Sequence, residues 1–222
     1  MNLRKLFFVL PLAFSTPAAP AANIIDATYG VGAGSFEIPG YIGPLFLTLN
    51  NGSNYITGWT VNYSNIDLVP NTIWNPSLGA NSIDMNGTPG GPGGIQTVIP
   101  TTVGTTYRVT FDIAAFTATD NMTNPKTMDV TADGVTSSFS LSTTTHYDVP
   151  LTLPLAVNWQ SRTLEFIAST TSTAISFTST TATDGSAMLL DNVVVQAVPE
   201  PAASLLMLGG GALLTLRRRR LR

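Results

Sequence analysis

Thr105-Thr106-Tyr107-Arg108-Val109-Thr110-Phe111-Asp112-Ile113-Ala114-Ala115-Phe116 alternates in character along most of its length. Tyr107, Val109, Phe111 and Ile113 fall on one side, and Arg108, Thr110, Asp112 and Ala114 on the other. A period of two is that of a strand with one buried face. The same reading extends outward in both directions. Residues 163–169 and 173–179 alternate in the same way, with Leu164, Phe166, Ile175 and Phe177 inward. Residues 187–198 are apolar on both faces at Val193, Val194 and Val195, as expected of a central strand. Asp133-Gly134, between apolar-polar runs at 128–132 and 135–141, marks a two-residue hairpin turn. Further strands are expected at 45–49, 57–61, 66–69 and 82–85. Residues 88–94, Thr-Pro-Gly-Gly-Pro-Gly-Gly, form a loop, and no window within 23–197 reads as an amphipathic helix. About ten short strands with turn-rich links predict an all-β sandwich of the jelly-roll kind.

The charges are unevenly placed. Of the ten Lys and Arg, only Arg108, Lys126 and Arg162 lie within 23–197, which holds twelve of the thirteen acids. That region is therefore nine charges negative in formal terms, while the whole chain is −3. Such a surface does not grip a phosphate backbone, so nucleic acid is excluded as a partner. The chain has no cysteine, and about 175 residues can bury a core without a disulfide.

The ends read as export and sorting segments. Arg4 and Lys5 precede a short apolar stretch at 6–14, and Ala19-Pro20-Ala21 offers a cleavage site. Residues 1–22 are thus expected to form a secretory signal helix. Residues 198–222 contain Pro199-Glu200-Pro201, an apolar run at 202–216, and Arg217, Arg218, Arg219 and Arg220. As a helix that run spans roughly 22 Å, short of a bilayer core of about 30 Å. Its arginines are expected to remain cytoplasmic, making this a transient inner-membrane anchor.

This C-terminal order closely resembles the PEP-CTERM sorting signal of Gram-negative bacteria that make exopolysaccharide. The resemblance implies an exosortase as processing partner, cleavage near Pro-Glu-Pro, and release or transfer to the cell surface or extracellular matrix. A second resemblance covers residues 30–197. Six patches carry it: Gly34-Ser35-Phe36-Glu37, Ile56-Thr57-Gly58-Trp59-Thr60-Val61, Asn81-Ser82-Ile83-Asp84-Met85-Asn86-Gly87, Gly94-Ile95-Gln96-Thr97, Thr106-Tyr107-Arg108-Val109-Thr110-Phe111-Asp112 and Leu190-Asp191-Asn192-Val193. In this order they look like the choice-of-anchor C family, which implies a galactose-binding-like jelly roll over 23–197 and no established catalysis. Residues 30–34 depart from the family's usual Asn-Gly before Ser-Phe-Glu. Carbohydrate-binding modules of the wider fold hold a structural Ca2+ with an early Glu and a late Asp, and Glu37 and Asp191 match those positions. Against this stands the reading that Asp191 bonds local backbone N–H groups and Glu37 is solvated.

Enzyme chemistry finds little support. His146 is the one histidine, there is no Gly-x-Ser-x-Gly elbow, and there is no His-Glu-x-x-His pair. Glu37 and Glu165 are the only glutamates within 23–197. Asp84, Asp112 and Asp129 lie on expected strands without a feature that singles them out. The glycine-rich loop lacks the Lys-Ser/Thr of a phosphate loop. Sugar binding by exposed rings is the livelier option, with Trp74 first and Tyr55 and Tyr63 beside it. Trp59 and Trp159 are expected in the core. The expected function is a non-catalytic surface protein associated with exopolysaccharide or biofilm matrix. The alternatives are an adhesive protein that binds other proteins and, less favoured, a polysaccharide hydrolase.

Overall fold

The computed structural model describes residues 21–117, 124–142, 153–182 and 188–199. Apart from residues 21, 22, 198 and 199, the expected signal and sorting segments lie outside the described residues. So do Glu200, Pro201, the terminal arginines and His146. Eleven strands and one short helix are described. In chain order they are α1 (Ile24–Tyr29), β1 (Leu47–Asn50), β2 (Trp59–Tyr63), β3 (Asn65–Pro70), β4 (Asn81–Asp84), β5 (Gly94–Pro100), β6 (Thr106–Ala115), β7 (Lys126–Ala132), β8 (Val135–Leu141), β9 (Gln160–Ile167), β10 (Ser172–Ser179) and β11 (Met188–Ala197).

They form two antiparallel sheets. One has six strands in the order β1-β3-β4-β11-β6-β9, and the other has five in the order β2-β5-β10-β7-β8. The protein is an all-β sandwich, as the alternation predicts. The strand read as central, β11, lies between β4 and β6. Asp133 and Gly134, at φ 48° and 79°, supply the two left-handed residues that the β7–β8 turn needs. Two features depart from expectation. The helix α1 is six residues long, too short to leave a periodic signature, and buries only Ile25. Asn23 caps it, accepting from Ile25 N–H at 3.2 Å. The strand β5 begins in the glycine-rich loop and ends in proline, and those two breakers bracket its alternating Ile95, Thr97 and Ile99.

The interior is a chain of rings between the sheets. Phe36 meets Trp59 at 5.1 Å, and Trp59 meets Phe177 at 6.1 Å. Phe177 meets Phe111 edge-on at 5.2 Å, and Phe111 meets Phe139 at 5.1 Å. Tilted and edge-on pairs of this kind add to the apolar burial. Trp59 is buried as expected, and its indole N–H donates to the carbonyl of Ala33 at 2.8 Å.

The first segment is tied to the last strand. The side-chain amide of Asn23 donates to the carbonyl of Val193 and its oxygen accepts from Val195 N–H. The entry turn, which departs from the family pattern, closes on the same strand. Val193 N–H donates to the Gly34 carbonyl at 2.8 Å. A Cβ on Gly34 would stand 2.3 Å from the Val193 carbonyl oxygen. Only glycine allows the two backbones this close. Gly34→Ala is therefore expected to destabilise the fold by on the order of 2–3 kcal/mol, read from urea unfolding; an unchanged midpoint would mean that this contact is not formed.

Candidate functional site

Around β3, β4 and the end of β6 the outer face of the six-stranded sheet is covered by chain rather than by water, whereas Arg108 and Glu165 on the same face are about half exposed. Side chains alternate along β3 and β4, so Ile66, Leu68 and Ile83 point into the main core. Asp67, Val69, Ser82 and Asp84 point the other way, with Asp67 opposite Asp84 and Val69 opposite Ser82. Over this face lie Ile73 and Trp74 from the β3–β4 connection. They form a second cluster with Val69, Ala114, Phe116 and Leu189, against which Leu155, Val157 and Trp159 pack. Trp74 is 3% exposed, and its indole N–H donates to the Ser82 hydroxyl at 2.7 Å. The Phe116 ring lies 5.9 Å away.

Beside this cluster the face opens into a cleft of about 260 Å3. Val69, Trp74 and Phe116 form its apolar wall, with Phe46 at the mouth, 40% exposed. Asp67, Asp84 and Asn86 form its polar floor, and Thr88-Pro89-Gly90 the opposite rim. The rim is the glycine-rich loop, which passes tightly over the start of β3. A Cβ on Gly93 would stand 1.9 Å from the Asn65 carbonyl oxygen.

The two floor carboxyls differ in support. Asp67 accepts three hydrogen bonds: from the Thr48 hydroxyl at 2.6 Å, Thr88 N–H at 3.1 Å and the Thr88 hydroxyl at 2.8 Å. Asp84 accepts from Asn86 N–H at 2.9 Å. Burial pushes Asp84 up to about 8, and the neighbouring Asp67 adds to this. The Asn86 N–H and the Lys126 charge pull the other way. Asn86 is held in turn by Ser179, whose hydroxyl donates to its side-chain oxygen.

Trp74, expected as an exposed platform, is thus buried and forms the cleft wall. The residues of the β3–β4 connection fold back over a sheet face, which sequence spacing does not reveal. Tyr55 and Tyr63 are 40% and 53% exposed. Tyr63 ends β2 in the other sheet and Tyr55 lies in the loop before it, so neither lines this cleft. Trp159 packs on the second cluster and donates to the Asn75 carbonyl at 2.8 Å. Asp84 was visible as a strand aspartate. Asp67 lay on an expected strand and Asn86 within one family patch, but nothing joined them to Phe46, because only register and the folded loop bring them together.

Glu37 and Asp191 meet around one loop, residues 77–81. Glu37 Oε1 accepts from Ala80 and Asn81 N–H, each at 2.8 Å, and Oε2 from the Asn81 side-chain amide at 2.9 Å. Asp191 accepts from Leu78 N–H at 2.9 Å and from Asn192 N–H at 2.6 Å. Asp112 joins them, accepting from the Ser77 hydroxyl and the Asn192 amide. Glu37 is therefore not simply solvated, and Asp191 bonds both a local and a distant N–H. Calcium takes six to eight oxygen ligands. Among the described residues no group of three or more Asp, Glu, His or Cys is arranged to hold a metal ion. The groups that bond these two side chains are the N–H donors of residues 78–81 and Asn192.

Burial pushes Asp191 up to about 7; the N–H groups of Leu78, Asn192 and Ser77 oppose this and Glu37 reinforces it. Its ordinary value is 3.8, so between about pH 4 and 7 the folded chain holds a proton that the unfolded chain has lost. The contribution of this group to stability should fall as pH rises through that window and level off above it, while Asp84 adds a like decline up to about pH 8. Asp191→Asn should reduce this slope in a melting series and leave the part due to Asp84. Glu37→Ala leaves the Ala80 and Asn81 amides without their acceptor, and a loss on the order of 3 kcal/mol is expected in denaturant.

The chain is similar to three solved sugar-binding structures. TmCBM61, solved with β-1,4-galactotriose, is 12% identical with a TM-score of 0.45, over 77% of this chain and 99% of its own. A family 35 carbohydrate binding module from Clostridium thermocellum is 13% identical with a TM-score of 0.43, over 67% of this chain and 97% of its own. The CBM22-1 xylan-binding domain of Paenibacillus barcinonensis Xyn10C is 14% identical with a TM-score of 0.42, over 70% and 95%. No curated protein matches the chain. A family match spans residues 31–196, from the entry turn to the end of the central strand, and by it the chain belongs to the family described as "Protein of unknown function (DUF642)".

Proposed function

We propose that this protein is a non-catalytic binding module for a polysaccharide chain, and that the cleft on the six-stranded sheet is its binding site. One observation carries this reading. Three aromatic rings, Phe46, Trp74 and Phe116, share a cleft with two carboxyls, the Asn86 amide and Thr88. A sugar ring has apolar C–H faces and a polar hydroxyl edge. Stacking serves the first, and fixed donors and acceptors serve the second. The indole N–H of Trp74 is already bonded to Ser82, so its ring is held as a rigid wall.

In this reading the protein is exported, processed by an exosortase at Pro199-Glu200-Pro201, and associated with exopolysaccharide outside the cell. Among the described residues no helix is long and apolar enough to cross a membrane, and the expected anchor at 202–216 lies beyond them. Mass spectrometry of the secreted protein should show a chain lacking Arg217 to Arg220; their presence would count against exosortase handling. Beside the contacts of Asn23 and Gly34 with β11, Glu37 and Asp191 join the first segment to the last strand through the N–H groups of residues 78–81, with calcium as the rival staple. Equal melting temperatures in millimolar calcium and after chelation are expected, and a clear rise with calcium would favour the ion.

Calorimetry with soluble polysaccharides tests the cleft itself. Phe46 is partly exposed, so Phe46→Ala should fold normally and weaken binding at least about tenfold, the loss of one stacked ring. Trp74→Ala should instead lower stability by about 3–5 kcal/mol, the cost of a buried Trp. Equal binding by Phe46→Ala and the wild type would remove the cleft from consideration.

A further inference from the structure

We infer that the facing carboxyls of Asp67 and Asp84 share one negative charge, so that the cleft accepts uncharged sugar chains, excludes uronate-bearing ones, and releases its ligand when the second charge appears. This rests on the cleft being the binding site.

The geometry is specific. Asp67 and Asp84 are direct partners across β3 and β4, and their side chains share one face. They are 3% and 9% exposed. Two like charges directly opposite on neighbouring strands repel, and away from water the repulsion is weakly screened. The donors are unequally divided. Among the described residues three serve Asp67, two of them from the rim residue Thr88, and one backbone N–H serves Asp84. Hydrogen bonds donated to a carboxylate favour its ionised form. Of the pair, Asp84 is therefore the carboxyl that holds a proton.

The surroundings do not reverse this. The other strand flanking β4 presents Leu189 opposite Asp84, which carries no charge. Lys126, fully buried at the start of β7, draws Asp84 toward ionisation, but burial and Asp67 outweigh it and Asp84 titrates at about 8.

The consequence for a ligand follows. Below that range the Asp84 O–H is a hydrogen-bond donor in the floor and Asp67 is an acceptor, a pair suited to sugar hydroxyls. A carboxylate on the sugar would meet the Asp67 charge in a partly dry cleft. As pH rises the Asp84 donor is lost and a second negative charge takes its place. Binding that requires the proton weakens about tenfold per pH unit above the titration point.

The full-length secreted protein should first be tested at pH 6.5 against neutral hexose polysaccharides. The tightest ligand is then compared with the same polymer after partial oxidation of its C6 hydroxymethyl groups to carboxylates, and binding is repeated at pH 9. Wild type should bind the neutral polymer about tenfold more weakly at pH 9 and the oxidised one at least about tenfold more weakly at pH 6.5. Asp84→Asn keeps an N–H donor without a titratable charge, so its binding should be nearly independent of pH. Neutral binding that is equal at both pH values, or equal for both polymers, would overturn the shared charge while leaving the cleft intact. An absence of binding to any polymer at pH 6.5 would instead overturn the proposed function. Circular dichroism at pH 9 keeps unfolding from being mistaken for release.

Discussion

Two carboxyls gripping one loop, Asp191 buried and Glu37 half-buried, set the terms for the rest of this structure. Glu37 comes from the first turn, Asp191 from the central strand β11, and both take N–H groups from residues 78–81. That loop is the end of the connection that lays Ile73 and Trp74 over the outer face of the six-stranded sheet. The grip fixes the end of that connection, and the Ser82 hydrogen bond and the second cluster hold Trp74 itself. A cysteine-free chain thus obtains by hydrogen bonding a link between its first and last elements. The N–H groups of Leu78 and Asn192 oppose the effect of burial on Asp191, which is still pushed up to about 7.

The two faces of the six-stranded sheet do different work. Its inner face joins the five-stranded sheet through the run of rings from Phe36 to Phe139, and this is the source of stability. Its outer face is mixed, with Val69, Ala114 and Leu189 beside Asp67, Asp84 and Asp191. A second apolar cluster covers the first group, and the cleft leaves two of the acids beside it accessible to a ligand. Burying acids on a sheet face is unfavourable for folding, and such a pattern marks sites where charge serves binding. The donors from Thr48, Thr88 and Asn86 limit that cost without removing it.

The rim loop connects these features. Its glycines let it pass over the backbone of Asn65, and its Thr88 bonds Asp67 twice. A change of charge on the floor would therefore be felt at the mouth of the cleft. Occupancy and protonation are linked through one short chain of contacts rather than through a distant rearrangement.

Alternation along residues 105–116 and its repeats determined the sandwich, because a period of two has one structural meaning where one face must be buried. The Asp133-Gly134 turn was equally legible, since few other residues accept a left-handed backbone. Glu37 and Asp191 could be singled out by family resemblance, but their partners could not: the amides of 78–81 carry no side-chain signature. The helix α1 was too short to show a period, and β5 was obscured by the breakers at its ends. The cleft was decided by tertiary structure alone. Asp67 and Asp84 are 17 residues apart in the chain and become neighbours only through the β3–β4 register. Trp74 reads as a loop residue until the loop folds back on the sheet. Local pattern encodes which face of a strand is apolar; which distant residues share that face depends on pairing, and pairing is settled by the fold as a whole.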